Sequence, residues 1–97
     1  MLLGRVIGTV WATRKDEKLE GMKFLIVRAV DTDYKPLDSF VVAVDAVGAG
    51  AGEIVLLAQG SSGRLTWITK DKPVDAVIMA IVDRLEIDLP LSEWEAA

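Results

Sequence analysis

The sequence predicts an all-β fold, a small five-stranded barrel with a short helical turn or helix. Three observations lead there. Short β-branched apolar runs recur along the chain, and turn residues rich in glycine, aspartate and proline separate them. The chain has only 97 residues, which suits a single domain over 1–97 with 88–97 as a C-terminal tail. Strands this apolar would present sticky edges in an open sheet, and closure removes those edges.

The first strand is expected over Leu3–Ala12, "LGRVIGTVWA", with Gly4 and Gly8 marking a bend or a close backbone approach. In "TRKDEKLEG", Thr13–Gly21, basic and acidic residues alternate, which reads as a solvated turn. Met22–Val30, "MKFLIVRAV", gives a second strand. Asp31–Asp38 carries hairpin-turn residues, and Pro36 argues against a strand interior there. A third strand is expected over Ser39–Val47 and a fourth over Glu53–Gln59. The segment "GSSGRLTW" suits a helical turn capped by Ser61 or Ser62, although Gly63 weakens it.

Pro73–Ile87 carries two signals. Val74, Val77, Ile78, Ile81, Val82 and Leu85 share a helical face, and Pro73 fits a first helical position. Alternation through Ile78, Ala80, Val82 and Arg84 fits a strand equally well. A helical turn entering a final strand satisfies both. Ser92 and Glu95 have capping-box spacing for one short turn in the tail.

Composition narrows the function. Cysteine and histidine are absent, which excludes disulfides, thiolate metal sites and catalysis by imidazole or thiolate. No aspartate-rich loop has calcium-site spacing, so no metal or other cofactor is expected. No apolar run approaches the ~20 residues that span a membrane, and "MLLGR" meets Arg5 too early for a signal peptide. A cytoplasmic protein is expected. A chain this short buries roughly 60–65% of its unfolded surface, so it gains from self-association. Its 52% hydrophobic content points the same way.

Between the third and fourth strands stands "AVDAVGAGAGEIVLLAQ", with Gly48, Gly50 and Gly52 at alternate positions. A dinucleotide loop needs G-x-G-x-x-G opening a helix, so that amides and dipole meet the pyrophosphate. Here Glu53 follows the last glycine and would repel phosphate, a strand follows in place of a helix, and no P-loop lysine pair is present. The steric reading is better: glycine permits positive φ and lets other chain segments come close. A tight loop within one subunit or a slim element at a subunit junction both satisfy it.

Ser61 and Ser62 have no histidine to activate them, and nothing in the sequence brings Lys70 or Lys72 near enough for a serine–lysine pair, so with Arg64 they read as turn capping with an ion pair. Asp45, Asp75 and Asp83 read as structural hydrogen-bond acceptors. An OB-like barrel binding single-stranded nucleic acid would set aromatics on a basic face. This chain has a net charge of −4, and Phe24 and Phe40 lie in apolar strands expected in the core. Trp11, Trp67 and Trp94 suit core or interface. Single-stranded nucleic-acid binding stays as the alternative function.

Together, "GRVIGTV" (Gly4–Val10), "LEGMKFLIV" (Leu19–Val27), "VAVDAVGAGAGEIVLL" (Val42–Leu57), "GSSGR" (Gly60–Arg64) and "PVDAVIMAIVD" (Pro73–Asp83) resemble the EutN/CcmL family of bacterial microcompartment vertex proteins. The resemblance covers nearly the whole chain. It implies a barrel related to the OB fold that assembles as a cyclic homopentamer and closes the five-fold vertices of shells tiled by hexameric proteins. Gly48, Ala49, Gly50, Ala51, Gly52 and Glu53 match the family's glycine-rich signature, which implies a subunit junction or the axial region. Asp45, Ser61, Ser62, Arg64 and Asp83 match its structural turns. No catalytic residue, cofactor, membrane or nucleic acid is implied. Gly63 departs from the pattern, where alanine is common, and the tail with Trp94 is less family-like.

Overall fold

Successive side chains of a strand face opposite sides, so a run buried on one side alternates, and one buried on both is continuously apolar. Both patterns occur here. The computed structural model describes residues 1–13, 15–60 and 75–89. Strands β1 (Leu2–Val10), β2 (Phe24–Val30), β3 (Pro36–Asp45), β4 (Ile54–Gln59) and β5 (Ala76–Ile81) close into a barrel in the order β1-β2-β3-β5-β4. Neighbours are antiparallel except β3 and β5, which run parallel. The expected five-stranded barrel is present.

Val6, Leu25, Val27, Ala43, Val55, Leu57 and Ile78 fill the interior. Their neighbours Val44, Ala58 and Val77 point the other way, into a second buried cluster with Leu19, Met22 and Phe24. The outer wall at this end is therefore covered by the excursion between β1 and β2. That excursion was expected to be a solvated turn. Its charged residues are exposed, yet a 3-10 turn at Glu17–Leu19 tucks Leu19 onto the barrel, and the Asp16 carboxylate accepts from Lys18 N at 2.9 Å.

The same two-sided burial settles the ambiguous fifth element. Val77 and Ile78 are both 0% exposed, one facing outward and one inward. A strand covered on both faces shows no clean period of two, which lets a helical period appear by coincidence. From Val82 onward the chain is irregular, so the expected final strand stops short of Ile87. One last bond, Val82 N to Ile54 O at 2.8 Å, continues the pairing. The expected helical turns at 60–67 and 92–95 lie almost wholly outside the described residues, as do Pro73 and Val74, where the segment Pro73–Ile87 begins.

Two further expectations are corrected. β3 starts at Pro36 instead of Ser39; Pro36 itself keeps out of the strand interior, pairing with Val30 as the first residue, where the missing N–H is tolerated. Phe40 is 62% exposed instead of buried, because β3 turns it to the outer wall together with Val42. The register explains part of this. Arg28 pairs with Phe40 and Val30 with Pro36, so Leu37, Asp38 and Ser39 bulge opposite Ala29 alone. The Arg28 guanidinium holds the bulge by donating from Nε to Leu37 O. Smaller bulges leave Ile7 in β1 and Met79 in β5 without register partners, and both are exposed.

Gly4 is the close approach the sequence suggested. A Cβ there would meet Val27 Cγ1 and stand 2.9 Å from Arg28 O. At Gly8 the nearest atom would be Ile26 Cδ1 at 3.6 Å, an ordinary contact. Gly4→Ala is therefore expected to destabilise the barrel by about 1–3 kcal/mol, as overpacking does, with Gly8→Ala much milder. Urea midpoints of the two variants measure the difference; equal midpoints would contradict it.

Candidate functional site

The glycine loop is built outward from Asp45, the last residue of β3. Asp45 Oδ1 accepts from Val47 N at 3.1 Å, Gly48 N at 3.0 Å and Ala49 N at 3.2 Å. One carboxylate oxygen thereby fixes three consecutive amides in a turn. Gly48 sits at φ +78°, the left-handed conformation that side chains resist. Ala49 then drops into the barrel interior, 1% exposed.

Gly50–Glu53 forms the second half. Glu53 N donates to Gly50 O at 3.2 Å, and Gly52, third in this turn, has φ +87°. That is a type II turn, which needs glycine at this position. The Glu53 carboxylate reaches back to accept from Gly50 N at 2.6 Å. Ala51 and Gly52 form the exposed tip.

Long-range bonds fasten the loop to β1. Gly52 N donates to Val6 O at 2.8 Å and Val6 N to Glu53 O at 3.0 Å. Arg5 Nη1 donates to Gly52 O at 2.7 Å. The amides that a phosphate would need are taken: those of residues 47–50 go to Asp45 and Glu53, and that of Gly52 to Val6. Among the described residues, no three carboxylates gather as a metal-binding group.

Gly48 and Gly52 thus answer to local backbone geometry, whereas Gly50 packs under Glu53, whose Oε1 would lie 3.4 Å from an added Cβ. Asp83 is exposed just beyond β5. Ser61, Ser62, Arg64, Trp67 and Trp94 lie outside the described residues. Trp11 is 90% exposed, which removes the core reading for it. It edges a groove of about 290 Å³ with Lys15, Lys23 and Phe24. Sequence reasoning missed Arg5, which stands 47 positions from its acceptor. Only the register of β1 against β4 brings the two together.

Comparison with known proteins now bears on this geometry. Residues 1–83 match the family model described as ethanolamine utilisation protein EutN/carboxysome. The chain belongs to the EutN/CcmL family. The carboxysome shell vertex protein CcmL of Gloeobacter violaceus is 41% identical over 88 residues, covering 91% of this chain and 88% of that one. Its solved structure superposes with a TM-score of 0.85, covering 91% of each chain. The bacterial microcompartment shell vertex protein GrpN of Rhodospirillum rubrum is 45% identical over 86 residues, 89% of this chain and 97% of that one. A GrpN structure, described as a pentameric microcompartment shell protein, has a TM-score of 0.81 and covers 90% and 99%. PduN of Salmonella typhimurium, also a shell vertex protein, is 44% identical over 89 residues, 88% of this chain and 98% of that one. The family's barrel and this one are alike in fold.

Asp45→Ala leaves three amides without their acceptor. A loss of about 1–3 kcal/mol is expected, and Asp45→Asn, which keeps an oxygen at Oδ1, should lose less. Denaturant unfolding of both variants tests the order, and Asn falling below Ala would contradict it.

Proposed function

We propose that this chain is a structural shell protein, a cyclic homopentamer that caps the five-fold vertices of a bacterial microcompartment in the cytoplasm and lets the shell close. One observation carries the reading: likeness to the pentameric shell protein GrpN over nearly the full length of both chains. The mechanism is geometric. A layer of six-fold units stays flat until five-fold units introduce curvature, and a head-to-tail contact closes on itself when its rotation is one fifth of a turn. The further partners are hexameric shell proteins. No chemistry is assigned to any residue, and none is an enzyme's.

A head-to-tail ring needs two different patches on each subunit. The Ala51–Gly52 tip of the loop supplies a slim one, within the segment Gly48–Glu53 read from the sequence as a junction or axial element. The outer wall of β3 supplies apolar area, with Phe40 62% and Val42 45% exposed. Trp11 is a third exposed contact residue. Covering such groups stabilises an assembly by about 25 cal/mol per Å² of apolar surface removed from water.

Native mass is the direct test. Five copies of 10.5 kDa give about 52 kDa, and a discrete species there at low micromolar concentration is the expected result. A strict monomer would refute the ring. Replacing Gly50 or Gly52 with valine should disrupt pentamers by crowding. Gly52→Val also strains the turn, so Ala51→Arg is the cleaner probe: the barrel should keep its unfolding midpoint while the ring dissociates. Intact pentamers in Gly50→Val and Ala51→Arg alike would remove the loop from the junction.

A further inference from the structure

Tyr34 stands in the turn between β2 and β3 at φ +64°, a left-handed conformation that a bulky residue rarely takes. The turn holds it there. Asp31 Oδ1 accepts from Asp33 N at 2.8 Å and from Lys35 N at 3.0 Å. On the main chain, Tyr34 N donates to Asp31 O at 3.0 Å and Asp31 N to Lys35 O at 2.9 Å. Asparagine would occupy such a place with less strain. A strained residue that its surroundings over-determine is kept for what its side chain does.

The hydroxyl of Tyr34 reaches a segment 51 positions away, where Leu85 N donates to Oη at 3.2 Å. Three residues earlier, Val82 N donates to Ile54 O of β4 at 2.8 Å. Within three residues the chain after β5 thus passes from β4 to the β2–β3 turn. β1 lies between β4 and β2 in the barrel, so no ladder joins these two strands directly. A side-chain oxygen supplies the link.

Beyond that bond, Leu85, Ile87 and Leu89 alternate with Glu86 and Asp88. Ile87 is 45% and Leu89 56% exposed. Side chains this exposed gain little from burial, so the stretch depends on the bonds at its root. The Arg84–Glu86 ion pair at 2.9 Å joins two exposed side chains of the stretch itself and contributes little.

We infer that residues 82–89 form a strap that opens as a unit about Val82 while the barrel stays closed, with the Tyr34 hydroxyl as its catch. Opening frees the Leu85 amide and carries Ile87 and Leu89 away from the β2–β3 turn. Tyr34 is a positioning residue: it sets where these two apolar side chains are offered. The inference stands apart from the pentamer, because both halves of the catch belong to one subunit.

Trypsin tests the catch in the full-length chain. It cuts after Arg84, which is exposed, and the nitrogen of that bond is the one Tyr34 holds. Cleavage follows the population of the open form. Tyr34→Phe keeps the aromatic ring and removes the hydroxyl. Cleavage after Arg84 is expected to rise about three- to tenfold, the worth of one hydrogen bond. Exchange of the Leu85 amide with deuterium should quicken by a similar factor, while cleavage after Lys18 stays unchanged. A local opening exposes little surface, so urea well below the unfolding midpoint should hardly alter the rate at Arg84. Equal cleavage and exchange in Tyr34→Phe and the parent chain would overturn the catch and leave aromatic packing to hold the segment. A parallel rise at Lys18, or a rate at Arg84 that climbs steeply with urea, would overturn the strap, since cleavage would then pass through global unfolding. Native mass on the same samples keeps the two questions separate. A monomer whose Arg84 bond is protected by Tyr34 keeps the strap and removes the pentamer; a pentamer indifferent to Tyr34→Phe does the reverse.

Discussion

Closure of the barrel depends on a parallel seam only two register pairs wide, Val44 with Val77 and Asp45 with Ile78. Every other contact between neighbouring strands is an antiparallel ladder. Parallel pairing cannot be made by a hairpin, so the chain must leave β3, cross to β4 and return as β5. Asp45 stands at both ends of that requirement. Its backbone belongs to the seam, and its side chain orders the first turn of the crossing. The glycine loop follows from this: it is the means by which the chain departs from the seam without losing its amides' partners.

The loop in turn binds β1 to the point of departure. Val6 exchanges bonds with Gly52 and Glu53, and Arg5 adds its guanidinium. Three strands thus converge on six residues, and the tip that remains, Ala51–Gly52, is small because everything around it is spoken for. A rigid, slim protrusion is what close packing about an axis favours, since an ordered loop loses little further entropy on assembly.

Much of this was legible in the sequence, for identifiable reasons. β-Branched runs named all five strands, and the position of the loop and the close approach at Gly4 followed from glycine spacing. The reading of Glu53 as hostile to phosphate agrees with its place in the loop, where its carboxylate takes the Gly50 amide that a phosphate would use. What could not be read was register. Three bulges decide that Ile7, Met79 and the Leu37–Ser39 stretch turn outward, and no local pattern announces a bulge. Phe40 was placed in the core because it lies in an apolar strand, yet apolar composition does not tell which face a residue takes. Helical and strand periods competed over 73–87 because Val77 and Ile78 are enclosed from both sides. Arg5 was invisible as a loop residue because its acceptor is 47 positions away.

The circular sheet has one more consequence. A strand at an open edge offers a row of free amides and carbonyls, which any similar strand can match and extend without limit. Here β1 through β5 have a neighbour on each side. Closure leaves copies crowded together little backbone to zip through, the stretch of β3 before its two pairs with β5 being the exception. Their stoichiometry must come from the shapes and charges of side chains and turns, which can be satisfied once and then are used up. Such a surface counts its partners, where a bare edge would only accumulate them.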